Sequence, residues 1–348
     1  MNNEHIPVFF EGHDDLIEIL ATSMASICYN TKSFIDFYIL DCGICNFNKR
    51  QLESMKDTFL NFSLEFITID LKQFEGLKGW GKGNFLDCYA RLLIPELKPE
   101  IDKAVYLDTD VIALDDIQKL YDIHLGDFPY GASPELGYSK ELFTNCIQNL
   151  GISNKHIYPN AGVLLINCKK WRMENAREKL ISTARKYKNY LIVLNEEILS
   201  ITFGLNNYKK LDLRFNISDR LNEVKEINAP EITDEYIFNE WKNAVLQHIT
   251  PTKIWIFLRN DRGQPARNAS NFWKFAAMTP YYEGLQNKYL WFTSEATRSL
   301  IPFPSIPSAP IKEKILLFGL PLFTVKRSDS YIRYKLFGFI PMLKIKVK

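Results

Sequence analysis

Between Pro7 and Ile69 the chain alternates short apolar runs with stretches of helical periodicity, and this constrains the fold more than any other feature. Pro7–Phe10, Phe34–Leu40 and Leu64–Ile69 read as strands, with helices from Leu16 to Tyr29 and from Asn48 to Leu60. Strands that alternate with helices build βαβ units and hence a mainly parallel sheet. The pattern continues with strands at Ala104–Leu107, Gly162–Asn167 and Val245–Ile249, and helices over Phe85–Leu97, Glu174–Tyr187 and Glu196–Phe203. Ligands of such a sheet gather beyond the carboxyl ends of its strands.

One of those ends is Asp108-Thr109-Asp110, directly after Ala104–Leu107. In extended backbone, residues two apart project to the same side. Two carboxylates side by side are costly to bury unless a cation lies between them. Paired carboxylate oxygens suit Mg²⁺ or Mn²⁺, and a metal there could hold the phosphates of a nucleotide. The glycine-rich Gly76–Gly83 lacks the spacing of a dinucleotide-binding turn and reads as a loop, a candidate lid.

The chain has 348 residues, 46% hydrophobic and 24% charged, as in a soluble globular protein. Its net charge of +2 points to no nucleic-acid partner. The charge is unevenly placed: residues 312–348 hold nine Lys or Arg against two acids, a local +7. Six scattered cysteines fit free thiols in a reducing compartment, and Cys42-x-x-Cys45 has no second pair to complete a zinc site. The polar N-terminus carries no leader pattern, and no run reaches the roughly 18 apolar residues of a membrane span. Four prolines between Ser299 and Pro310 read as a linker. Beyond them Leu317-Phe318-Gly319-Leu320-Pro321-Leu322 returns as Leu336-Phe337-Gly338-Phe339-Ile340-Pro341-Met342 among basic residues, a composition suited to an anionic membrane surface. The expected organisation is a nucleotide-binding catalytic domain over 1–260, an extension and linker over 261–310, and a basic-apolar tail over 311–348, taken as helical.

Taken in order, several segments resemble the family 8 retaining glycosyltransferases, among them bacterial lipopolysaccharide galactosyl- and glucosyltransferases. They are Tyr38-Ile39-Leu40-Asp41, Tyr89-Ala90-Arg91-Leu92, Val105-Tyr106-Leu107-Asp108-Thr109-Asp110, Asn160 to Asn167 with Lys170-Trp171, Arg214-Phe215-Asn216, and His248 with Lys253 and Trp255. The resemblance implies a GT-A fold, Rossmann-like, in which Asp108, Asp110 and His248 bind Mn²⁺ (or Mg²⁺). It further implies that Lys253 and Thr109 lie at the diphosphate of a UDP-sugar and that Arg91, Asn160 and Ala161 contact the donor sugar. Asp14 and Asp15 would meet the uridine. The family's Asp-Gln-Asp opposite the metal stands here as Asn195-Glu196-Glu197, which places Glu196 and Asn195 beside the anomeric carbon. His13 stands where the family usually has an aspartate, and the segment from His248 to Lys253 is one residue short.

These implications add up to a metal-dependent retaining hexosyltransferase. It would move galactose or glucose from a UDP-sugar to a lipopolysaccharide, lipooligosaccharide or other surface-glycan acceptor at the inner face of the cytoplasmic membrane. Two alternatives are the same chemistry on a protein or capsule acceptor, and a nucleotide-sugar-binding protein without transfer activity.

Overall fold

In the computed structural model the described residues are 5–81, 85–135, 144, 148–152, 157–218, 232–250 and 269–288, with strands at 311–317, 320–328, 331–336 and 340–346. They fall into two compact units, Met1–Phe292 and Thr293–Lys348. Among the described residues no helix is long and apolar enough to cross a membrane.

The first unit opens with the expected alternation: β1 (His5–Gly12), α1 (Ile17–Asn30), β2 (Phe34–Asp41), α2 (Asn46–Glu53) and β3 (Phe62–Thr68). Later strands are β4 (Lys103–Leu107), β5 (Val111–Ala113), β6 (Tyr130–Ala132), β7 (Val163–Asn167), β8 (Lys209–Lys210) and β9 (Leu246–His248). The main sheet has the order β3-β2-β1-β4-β7-β6-β8. Only β7 in it runs antiparallel to its neighbours. The chain leaves β1 toward β2 and β3, then returns to place β4 on the other side of β1. The carboxyl ends of β1 and β4 therefore form the switch point at which a sheet of this kind opens a crevice.

Both faces of the sheet are covered, which is why its strands read as continuous apolar runs. Val105 and Leu107 of β4 join one core with Ile6, Val8, Phe10 and α1. Ala104 and Tyr106, one residue out of phase, join the other core with Phe9, Tyr89 and Trp171. A late helix, Ala269–Ala276, buries Phe272 and Phe275 in the first core, joined there by Tyr281 and Leu285.

Two elements differ from the sequence reading. Phe85–Leu97 is not one α-helix but a 3₁₀ segment, Asp87–Leu93, followed by a short α-helix, Ile94–Leu97. Pro95 accounts for the break: it cannot donate back to residue 91, and it favours the first turn of a new helix. The last apolar strand does not enter the main sheet. β9 instead pairs antiparallel with β5, setting His248 opposite Val111.

The tail is not helical. It is a four-stranded antiparallel sheet, β10 (Ile311–Leu317), β11 (Leu320–Ser328), β12 (Tyr331–Leu336) and β13 (Ile340–Lys346), paired in chain order. Residues 332–336 and 343–346 alternate apolar and basic residues with a period of two, which suits a strand and not a helix. Each copy of the internal repeat spans a hairpin connection, Leu317 to Leu320 and Leu336 to Ile340, with a register shift close by. The register sorts the tail by face. Lys312, Lys326, Arg333 and Lys344 stand opposite one another in a single row across all four strands, and Lys314, Lys335 and Lys346 share that face. Ile315, Phe323 and Leu336 form a row on the other face, where Val325, Tyr334 and Leu343 form a second.

Candidate active site

Asp108 follows β4, and a backbone hydrogen bond from Val111 N to Asp108 O (3.1 Å) turns the chain into β5. The pairing of β5 with β9, Val111 opposite His248, then carries His248 to the same place from far along the sequence. His248 Nε2 lies 3.2 Å from Asp110 Oδ1 and 3.8 Å from Asp108 Oδ2. One ligand atom from each of the three residues falls within 4.8 Å of the others.

The tautomer of His248 follows from its neighbours. Asn216 Nδ2 donates to Asn160 Oδ1 (2.8 Å), so Asn216 Oδ1 is left as acceptor for His248 Nδ1 at 3.2 Å. Nδ1 is therefore the nitrogen that donates to Asn216, and Nε2 is the nitrogen that faces the two carboxylates. Two carboxylates and one imidazole, oriented by an outer amide, fit a divalent cation such as Mn²⁺ or Mg²⁺. Gly162 closes the other side. A Cβ there would stand 2.4 Å from His248 Cε1 and 2.9 Å from Asp108 Oδ2, so only glycine fits.

Asn160 is the hub of this wall. Its Oδ1 accepts from Gly162 N (2.9 Å) and from Asn216, while its Nδ2 donates to Glu135 Oε2. Glu135 is buried and did not figure in the sequence reading. Ala161 N lies 3.4 Å from Glu196 Oε1, and Ala161 O accepts from Arg91 Nη1 at 2.8 Å. Arg91 is buried, with Nε donating to Cys88 O (3.1 Å) and its guanidinium 4.3 Å from the centre of the Tyr106 ring. Its Nη2 lies 3.0 Å from Asp108 Oδ1 and 3.2 Å from Glu11 Oε2. Burial works against the charge of Arg91, but Asp108, Tyr106 and Glu11 outweigh it and hold the guanidinium protonated.

The helix Asn195–Phe203 brings the Asn-Glu-Glu segment to the same crevice. Glu197 is structural: its buried Oε2 accepts from the backbone N–H of Ile192, Val193 and Leu194 (2.7 to 3.1 Å). This clamp holds Leu194 at φ 58°, a strained position that aims the next two side chains. Asn195 Nδ2 donates to Cys88 O at 3.1 Å, and its Oδ1 is buried with no hydrogen-bond partner among the described residues. Burial, with Glu135 and Asp108 nearby, pushes Glu196 up to about 8. Glu11 is raised to about 7, chiefly by burial, against the pull of Arg91.

Of the remaining expected site residues, Thr109 is buried, its carbonyl accepting from Ser23 Oγ of α1. Asp14 and Asp15 open the 3₁₀ turn after β1. Asp14 Oδ1 accepts from Asn48 Nδ2 (2.8 Å) and Cys45 N (3.0 Å), which hold its carboxyl below the usual range and tie the turn to α2. Asp15 is exposed, 3.9 Å from His13, whose other nitrogen lies 3.6 Å from Asp87. Lys253 lies outside the described residues. The described cysteines, Cys42 and Cys45 among them, are free thiols.

A mainly parallel sheet with a carboxylate-imidazole cluster at its switch point is the arrangement of the GT-A fold. The profile of glycosyl transferase family 8 matches residues 7–256, and the chain belongs to that family. Galactosyltransferase LgtC, solved as an active-site mutant, is 25% identical with a TM-score of 0.66, over 79% of this chain and 96% of that one. A second LgtC structure, with donor and acceptor sugar analogues, gives 24% and 0.67. A Haemophilus influenzae protein bearing a provisional glycosyltransferase name is 31% identical over 214 residues, 61% of this chain and 63% of that one. Glycosyltransferase GlyB of Streptococcus pneumoniae is 28% identical over 265 residues, 73% of this chain and 59% of its own length. The chain thus spans less than two thirds of these two relatives.

The raised carboxyls set a pH dependence for the metal-free protein. The desolvated carboxyl of Glu196, which ionises at about 8 when folded against an ordinary value of 4.5, favours the folded state below 4.5. That contribution is lost as pH rises through about 8. In chelator, the thermal midpoint should fall between pH 5 and 9. Glu196→Gln should flatten the upper part of the fall, leaving the part that Glu11 contributes up to about 7. Parallel melting curves for the two proteins would contradict the desolvated setting of Glu196.

Proposed function

We propose that the chain is a metal-dependent, retaining hexosyltransferase that takes galactose or glucose from a UDP-sugar. The observation that carries this is the convergence of Asp108, Asp110 and His248 Nε2 beside Glu196 and Arg91. Asp108, Asp110 and His248 would hold Mn²⁺ or Mg²⁺. When bound, such an ion supplies charge neutralisation for a leaving diphosphate. The protein's own groups do the rest. Arg91 and Ala161 fix one wall of the sugar pocket, and Asn195 Oδ1, buried without a partner among the described residues, is placed to accept from a sugar hydroxyl. In the reaction the bond from the anomeric carbon to the diphosphate oxygen breaks and a bond to an acceptor hydroxyl forms, the acceptor losing its proton. Glu196, when ionised, stabilises positive charge growing on the sugar or attacks its anomeric carbon; either route is open to retention. The turn at Asp14 and Asp15 and the segment at Lys253 are assigned to the uridine and the phosphates.

The acceptor we propose is a lipopolysaccharide or lipooligosaccharide core, or another surface glycan, carried on lipid at the inner face of the cytoplasmic membrane. The tail supports that placement. Like charges directly opposite one another destabilise a sheet, so the row Lys312, Lys326, Arg333 and Lys344 costs stability unless an anionic partner neutralises it. We assign that face to an anionic phospholipid surface and residues 311–348 to membrane attachment.

Two experiments test these assignments. Release of UDP from UDP-galactose or UDP-glucose should require a divalent cation, and Asp110→Asn should lower turnover by roughly 100-fold or more. Full activity in chelator or in the variant would contradict the metal assignment, and donor binding without turnover would favour a binding protein. For the tail, Lys326→Gln and Arg327→Gln remove the same charge at adjacent positions on opposite faces. Lys326→Gln should weaken co-sedimentation with phosphatidylglycerol-containing vesicles about fivefold, as for the roughly 1 kcal/mol that one cation contributes near such a surface. Arg327→Gln should have a clearly smaller effect. Equal effects, or no binding by the wild-type protein, would remove the face from the assignment.

A further inference from the structure

Glu11 enters the site through the fold alone. It stands near the carboxyl end of β1, one residue beyond Phe10, which pairs with Leu107 of β4. The parallel register therefore sets Glu11 beside Asp108, and both carboxylates reach the same guanidinium nitrogen. Arg91 Nη2 is 3.2 Å from Glu11 Oε2 and 3.0 Å from Asp108 Oδ1. The rest of the guanidinium is fixed by Cys88 O, Ala161 O and the Tyr106 ring, so Arg91 cannot follow either carboxylate freely.

The two oxygens of Asp108 have different neighbours. Oδ1 faces Arg91 and accepts from Tyr106 OH at 2.8 Å, whereas Oδ2 faces His248. A cation bound at Oδ2 competes with Arg91 for the negative charge of this one carboxylate. An arginine paired with Asp108 alone would make it a poorer ligand, because a carboxylate neutralised on one side attracts a cation less on the other. A second carboxylate on the same guanidinium relieves that competition.

We propose that Glu11 is a positioning residue for the cation site: it shares Arg91 with Asp108, keeping Asp108 Oδ2 available as a ligand and Arg91 turned onto Ala161. This rests on the metal reading of Asp108, Asp110 and His248. Asp87 separates the effect from a general field. It is a carboxylate close enough to Glu11 to raise its pKa, yet its ion pair is with His13 and not Arg91.

The test is direct Mn²⁺ binding, followed by calorimetry at pH 8 with and without UDP on the full-length chain. Glu11→Gln keeps the shape and removes the charge. It should weaken Mn²⁺ binding about tenfold, the scale of an outer partner of a metal ligand, with the chelator-treated thermal midpoint unchanged or raised. Glu11→Ala should weaken binding at least as much. Asp87→Asn should stay within about twofold of wild type. Unchanged Mn²⁺ affinity in Glu11→Gln, or an equal loss in Asp87→Asn, would overturn the role given to Glu11 while leaving the metal site standing. Absence of Mn²⁺ binding by the wild-type chain would overturn the metal site itself, and this assignment with it.

Discussion

The carboxyl end of the sheet depends on Arg91. Among the described residues it is the one lysine or arginine that is buried, and Glu11 and Asp108 both lie against it. Buried carboxylates crowded together either protonate or need a fixed cation, and a buried pair is stable only where its remaining hydrogen bonds are satisfied. Arg91 meets that condition through Cys88 O, Ala161 O and the face of Tyr106. It also joins three stretches distant in sequence: the end of β1, the Asp-Thr-Asp turn and the Asn160–Gly162 turn. The second half of the site hangs on a relay of side-chain hydrogen bonds, Glu135 to Asn160 to Asn216 to His248, which fixes the orientation of the imidazole.

The sequence reading reached the parts that lie in local pattern. The βαβ alternation placed the parallel sheet, and the Asp108/Asp110 spacing singled out the end of β4, where the two carboxylates and His248 do converge, before any resemblance was used. His248, Arg91 and Asn160 came only with the resemblance, because nothing in their own neighbourhoods distinguishes them from structural residues. Glu11 and Glu135 were not legible. Each reaches its partner across tens of residues, 80 from Glu11 to Arg91 and 25 from Glu135 to Asn160, and no periodicity encodes such a contact. Asn216 was noticed within a motif, but its task, setting the tautomer of His248, appears only from the hydrogen-bond geometry. Glu197 shows the reverse case: a carboxylate in a catalytic-looking triplet that caps its own helix.

The tail failed differently. Its repeated Leu-Phe-Gly motif points to apolar patches among basic residues, whereas the pairing follows the strand period of residues 332–336 and 343–346. Once paired, those strands place seven basic residues on one face and most of the apolar residues, with Glu313 and Arg327, on the other. Attachment through the basic face would therefore be sensitive to salt throughout, since screening weakens interactions between exposed charges.

The central claim is that Asp108, Asp110 and His248 share one divalent cation. Crystals grown with UDP and Mn²⁺, measured at an energy where manganese scatters anomalously, test it without relying on turnover. A single anomalous peak should lie within bonding distance of a carboxylate oxygen of each aspartate and of His248 Nε2, with Nδ1 still donating to Asn216. A peak elsewhere, or UDP bound in the crevice with no peak among these three residues, would contradict it.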